Sequence, residues 1–117
     1  MSTTTTKIDV ILDTIRQEIA NCKKMTDQAM LTLEKMKPST EEYKDANLQF
    51  GANAFIACYL KRILEVVKER DIKKAENIIR FHHYQQHAIG ALDDHRDISL
   101  GQATVAVILG GYVERFF

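Results

Sequence analysis

Apolar or small residues return at alternating steps of four and three along the first third of the chain: Ile8, Leu12, Ile15, Ile19, Cys22, Thr26, Ala29, Leu33 and Met36. That spacing keeps one face of a helix in register with a partner, as the a and d positions of a packed seam do. It predicts a first helix opened by Thr6, whose side chain can cap it, with Asp9 serving the exposed N–H groups of the first turn. At 1.5 Å per residue, about 30 residues make a rod of about 45 Å. Pro38 disfavours helical geometry in the residue before it, so the rod is expected to stop near Lys37. Ser39-Thr40-Glu41-Glu42 then reads as a capping box that opens a second helix. So short a turn folds the second helix back antiparallel to the first.

The second helix continues the rhythm through Tyr43, Ala46, Phe50, Asn53, Ala57, Leu60, Leu64 and Val67. Phe55, Ile56, Cys58, Tyr59, Ile63 and Val66 lie off that seam, so its second half is expected to be covered on more than one side. Beyond Val67 the same register lands on Asp71 and Lys74, and the apolar pattern resumes out of phase at Ile72, Ala75 and Ile79. Asp71 is therefore expected to cap a third helix that runs to about Leu92. The inward stripe of that helix is read as Ile72, Ala75, Ile79, His82, Gln86 and Ile89, with Glu76, Arg80, His83 and His87 on a wet face.

The stretch Ile98–Val113, ISLGQATVAVILGGYV, carries no charge and is apolar on every side. Such a helix is expected at the centre of a fold, and about 16 residues fall short of the roughly 20 that cross a bilayer. Ser99 with Gln102 has the spacing of a capping box for it. The expected fold is all-α: an antiparallel four-helix bundle with a long N-terminal hairpin and two shorter C-terminal helices. Residues 1–5 form a polar leader and residues 6–117 a single helical domain. The longer hairpin overhangs the shorter pair at its closed end, where Leu33, Met36, Tyr43 and Phe50 need cover. A second copy of the chain is the simplest cover, with Val107 and Tyr112 of the last helix as further interface residues.

Composition narrows the class of function. Sixteen basic residues balance sixteen acidic ones, so the chain lacks the basic excess of a protein that grips phosphates. Lys23, Lys24, Lys61, Arg62, Lys68, Arg70, Lys73 and Lys74 are read as spread over several faces and offset by acids. The polar N-terminal stretch has no apolar signal region, and Cys22 and Cys58 sit in helical patterns as small apolar residues. The expected compartment is the cytoplasm, with no membrane span and no cofactor.

Three patterns carry chemistry on paper. His83 and His87 are four residues apart and His95 follows, a spacing able to grip a metal ion, although no HExxH motif accompanies it. Glu41, Glu42 and Asp45 resemble one half of the carboxylate set by which all-helical nucleotide pyrophosphohydrolases chelate magnesium; no second acidic pair completes it. Arg80 and His87, with six residues between them, resemble the Arg–His signature of HEPN-type ribonucleases, which are helical bundles and usually dimers. That resemblance implies His87 as general acid or base and Arg80 as stabiliser of phosphate charge. It covers two residues, and Phe81 stands where the family commonly has a polar residue. The leading expectation is a non-enzymatic helical interaction or adaptor module, acting through protein–protein contacts with itself and with a further protein partner. The alternatives are a ribonuclease using Arg80 and His87, or a metal-binding bundle using His83 and His87.

Overall fold

A computed structural model describes the backbone of residues 6–92 and 96–117 and the side chains of residues 6–86 and 100–117. Among these residues there are four helices and no strand: α1 (Lys7–Lys35), α2 (Glu41–Val67), α3 (Ile72–Leu92) and α4 (Arg96–Phe116). The expected leader, residues 1–5, lies outside the described residues.

Local sequence accounts for the helix ends. The Thr6 hydroxyl accepts from the Asp9 backbone N–H while the Asp9 carboxylate accepts from the Thr6 N–H, a reciprocal cap. The Thr6 hydroxyl also donates to Asp9 Oδ2 at 2.7 Å, and this bond, the Arg70 guanidinium and the Thr6 N–H hold the Asp9 carboxyl down to about 2. α1 ends at Lys35, and Met36 is already extended, two residues ahead of Pro38. The cap of α2 is Thr40 rather than Ser39: its hydroxyl accepts from the Tyr43 N–H and donates to the Lys37 carbonyl. One residue of phase decides this, since Thr40 stands directly before the first helical residue.

α2 and α3 are separate helices, as the phase break implied. The chain turns at residues 68–71, where Arg70 takes a left-handed φ of 62°, and Asp71 Oδ1 accepts from the Lys74 N–H at 3.1 Å. Arg70 Nη2 also donates to Asp9 Oδ1 at 2.7 Å, tying the end of α2 to the start of α1.

α1 packs along α2, α3 along α4, and α2 contacts both α3 and α4, whereas α1 and α4 approach less closely. The core joins Ile11, Ile15 and Ile19 of α1 to Leu60, Ile63 and Val67 of α2, Ala75 and Ile79 of α3, and Val105 and Leu109 of α4. Gly101 and Gly110 permit the close approach of α4. A Cβ at Gly101 would lie 2.8 Å from the Phe55 ring, and one at Gly110 2.9 Å from His83 Cε1.

Two expectations about α4 need correction. It starts at Arg96, so Ser99 lies inside the helix, and it continues through Gly110 and Gly111 to Phe116. Nor is it central. Val105, Leu109, Tyr112 and Phe116 make its buried stripe, while Ala103, Val107 and Gly111 face outward, with Val107 75% exposed. A face made of alanine, valine and glycine carries no polar mark, so hydropathy alone assigned it to the interior.

The overhang is present. α1 has 29 residues and α3 and α4 have 21 each, a difference of about 12 Å at 1.5 Å per residue. The described chain measures 57 × 36 × 19 Å with a radius of gyration of 16.2 Å, against about 13 Å for a compact chain of this length. The seam of α1 is buried from Ile8 to Cys22 and only half-buried from Thr26 onward; α2 shows the mirror image, half-buried at Tyr43, Ala46 and Phe50 and buried from Ala52. The closed end of the hairpin is thus a two-helix arm beyond the cover of α4.

Candidate functional site

The arm is where the sequence-expected interface residues gather. Leu33 and Met36 near the end of α1, and Tyr43 and Phe50 near the start of α2, are all half-buried. Each leaves part of its surface to solvent. Three large apolar residues that the seam pattern passes over are exposed on α1: Met25, Met30 and Leu31, the last 60% exposed and, two positions from Leu33, on the opposite side of the helix. Their signal in the sequence is four apolar residues, Met25, Met30, Leu31 and Leu33, within nine positions, wider than one seam requires. Isolated exposed apolar residues are ordinary, and these three point in different directions around α1.

The two interface residues expected on α4 divide. Val107 projects outward. Tyr112 is 7% exposed and belongs to the core of its own chain, its ring 6.0 Å from that of Phe116. Burial, reinforced by the Glu18 carboxylate, drives the Tyr112 phenol well above its ordinary range.

Where α4 crosses the base of the arm, a cavity of about 250 Å³ opens between α1, α2 and α4, lined among others by Glu18, Met25, Gln49, Asn53, Leu100 and Thr104. Asn53 is buried there and its amide donates to the Gln49 carbonyl at 2.9 Å. Thr104 donates to the Leu100 carbonyl at 2.8 Å. These bonds stay within one helix and satisfy the side chains locally.

The histidine-rich segment sits differently from the reading of a wet face. His83 is half-buried against α4, and its Nδ1–H donates to the Ala106 carbonyl at 3.0 Å. The i, i+4 spacing gave no sign that α4 would approach through Gly110 and claim that ring. His82 lies at the edge of the core as expected, hydrogen-bonded through Nδ1 to the Tyr59 hydroxyl and meeting the Tyr59 ring edge-on at 5.3 Å. Burial pushes His82 below its ordinary value and Tyr59 above its own, so this pair is neutral near pH 7. Ile72, expected on the inward stripe of α3, is exposed, because the stripe begins at Ala75.

Arg80 Nε donates to Glu76 Oε2 at 2.8 Å, an i, i+4 ion pair along α3. The side chains of His87 and His95 lie outside the described residues, so the Arg80–His87 and His83–His87–His95 groupings are not placed. Among the described residues, no three His, Cys, Asp or Glu side chains gather as a metal would need. Glu41 and Lys44 form an exposed pair at 3.5 Å in the first turn of α2, where acids suit the helix dipole. Among the described residues, no helix is long and apolar enough to cross a membrane.

Compared with known proteins, the chain matches no family model, no curated protein and no solved structure.

Proposed function

We propose that this chain is a non-enzymatic helical interaction module of the cytoplasm that acts through protein–protein contacts, first of all with a second copy of itself. The observation that carries the reading is the arm. Leu33, Met36, Tyr43 and Phe50 are each only half-buried at the closed end of the hairpin, and Met30, three positions from Leu33, adds exposed apolar surface. Burial of apolar area is worth about 25 cal/mol per Å², so a two-helix arm of this composition gains by packing on another apolar surface. Two such arms laid side by side about a two-fold axis would make a four-helix cluster in which each residue meets its own counterpart's surroundings.

Size-exclusion chromatography with light scattering, over a range of concentrations, tests the reading. A dimer that Leu33→Glu with Phe50→Glu converts to a folded monomer is the expected result. A wild-type monomer at every concentration overturns the self-association.

A further inference from the structure

A second surface lies between α1 and α2, where a groove of about 340 Å³ is lined by those two helices alone. Arg16 and Lys23 stand on the α1 wall, Lys61 and Lys68 on the α2 wall. Each pair is seven residues apart, two helical turns or about 10.5 Å. Because the helices run antiparallel, Arg16 faces the Lys68 end and Lys23 the Lys61 end. All four side chains are exposed, and the floor between them is apolar, with Ile19 and Leu64 almost fully buried. One acid, Glu65, lines the groove and accepts from Lys68 Nζ at 3.1 Å. In a chain of zero net charge, four cations against one carboxylate is a local concentration, and it frames an apolar strip.

We infer that this groove docks one amphipathic helix of a partner protein, with carboxylates on both flanks of its apolar stripe. The stripe would rest on Ile19 and Leu64, and acids seven residues apart on each flank would meet Arg16 with Lys23 and Lys61 with Lys68. Two antiparallel helices with an apolar floor between them are the usual seat for a third helix, and the walls select its charge. The lining holds no aromatic side chain on which a base would stack, and a concave apolar floor does not conform to a flat layer of headgroups. The surface shares no residue with the arm, so it stands whether the chain is a monomer or a dimer.

The test is fluorescence anisotropy with a labelled, designed helical peptide of about five turns, a leucine stripe flanked by glutamates, beside the same stripe flanked by lysines. The full chain is expected to bind the glutamate peptide at least about tenfold more tightly than the lysine peptide, with salt weakening the complex. Lys23→Glu with Lys61→Glu should reverse that preference, and far-UV circular dichroism should show an unchanged fold. Gain of the lysine peptide by the double variant shows that loss of the other is not unfolding. Equal binding of both peptides, or a double variant that keeps the wild-type preference, overturns the proposal. So does tighter, equally variant-sensitive binding of oligothymidine, of phosphatidylserine vesicles, or of a peptide of residues 40–55 of this chain, each of which names a different occupant.

Discussion

Val105 and Val107 stand two residues apart in α4 and present opposite environments, one fully buried and the other 75% exposed. Aspartate at each position therefore asks whether α4 is an outer helix or a central one. At Val105 the substitution forfeits the burial of a valine side chain, about 1.5–3 kcal/mol. It also sets a carboxyl among Ile79, Leu109 and other core residues, where an unpartnered polar group costs at least about 1–3 kcal/mol more. A total of about 4 kcal/mol is a large part of the roughly 5–15 kcal/mol that holds a domain of this size. At about 4 °C per kcal/mol it lowers Tm by about 15 °C. At Val107 little surface is lost, and the weak helix preference of aspartate is shared by valine. The expected cost is below about 1 kcal/mol, or about 4 °C. Thermal and urea melts followed by circular dichroism, at a protein concentration where light scattering shows one species, compare the two. If Val107→Asp is as unstable as Val105→Asp, or fails to fold, Val107 does not face outward from α4.

Four further outcomes are expected. Arg70→Gly and Arg70→Ala both lose the ion pair to Asp9, but only glycine adopts a φ of 62° without strain; urea melts should place the glycine variant about 1 kcal/mol above the alanine variant. Gly110→Ala sets a methyl 2.9 Å from His83 Cε1 while Gly111→Ala meets open space. The first should cost about 1–3 kcal/mol and the second should raise stability by up to about 1 kcal/mol. Asp9 is held down to about 2 in the folded chain from 3.8, so its contribution is full above about pH 4 and is lost as pH falls toward 2; Asp9→Asn should flatten that part of a Tm-against-pH curve. His82 is pushed below 6.5 by burial, so the unfolded chain takes up a proton first and stability falls as pH drops below about 6.5. His82→Gln should remove that fall, and a slope unchanged by it would contradict a neutral, buried imidazole.

Much of the fold is legible because its signals are local. The three-four rhythm of α1 and α2, Pro38 behind Met36, the Thr6–Asp9 cap and the phase slip at Asp71 each act within a few residues. What local pattern cannot supply is which side of a uniformly apolar helix meets the rest. Ile98–Val113 reads as central because Ala103, Val107 and Gly111 offer no polar contrast to Val105 and Leu109, although only the latter pair is buried. The same limit applies to His83. Its place is set by Gly110, 27 positions away, which lets α4 come close enough for the imidazole to reach the Ala106 carbonyl. A glycine in an apolar helix marks a close approach without naming what approaches.

The basic groove shows the converse, a pattern present in the sequence yet meaningful only in three dimensions. Arg16 and Lys23 repeat at seven, and so do Lys61 and Lys68, so each pair marks one helical face. Read singly, the two pairs are solvated flanks of two seams, and neutral net charge argues against a phosphate-binding surface. The hairpin turn at residues 36–40 changes that, because it fixes α2 antiparallel to α1 and brings the two faces onto one groove. The turn also sets the length of the arm, since α1 and α2 run on past the point where α4 ends its cover. One short loop thereby gives the hairpin two separate surfaces. The arm carries the half-buried Leu33, Met36, Tyr43 and Phe50 among charged residues, while the groove has an apolar floor and basic walls. Lengthening the loop with glycine and serine would leave both helices intact but loosen their register. Acidic-peptide binding, which needs four cations on two helices at once, should then weaken more than thermal stability does. Equal sensitivity of the two measurements would mean that the groove is fixed by the core from Ile11 to Val67 and not by the turn.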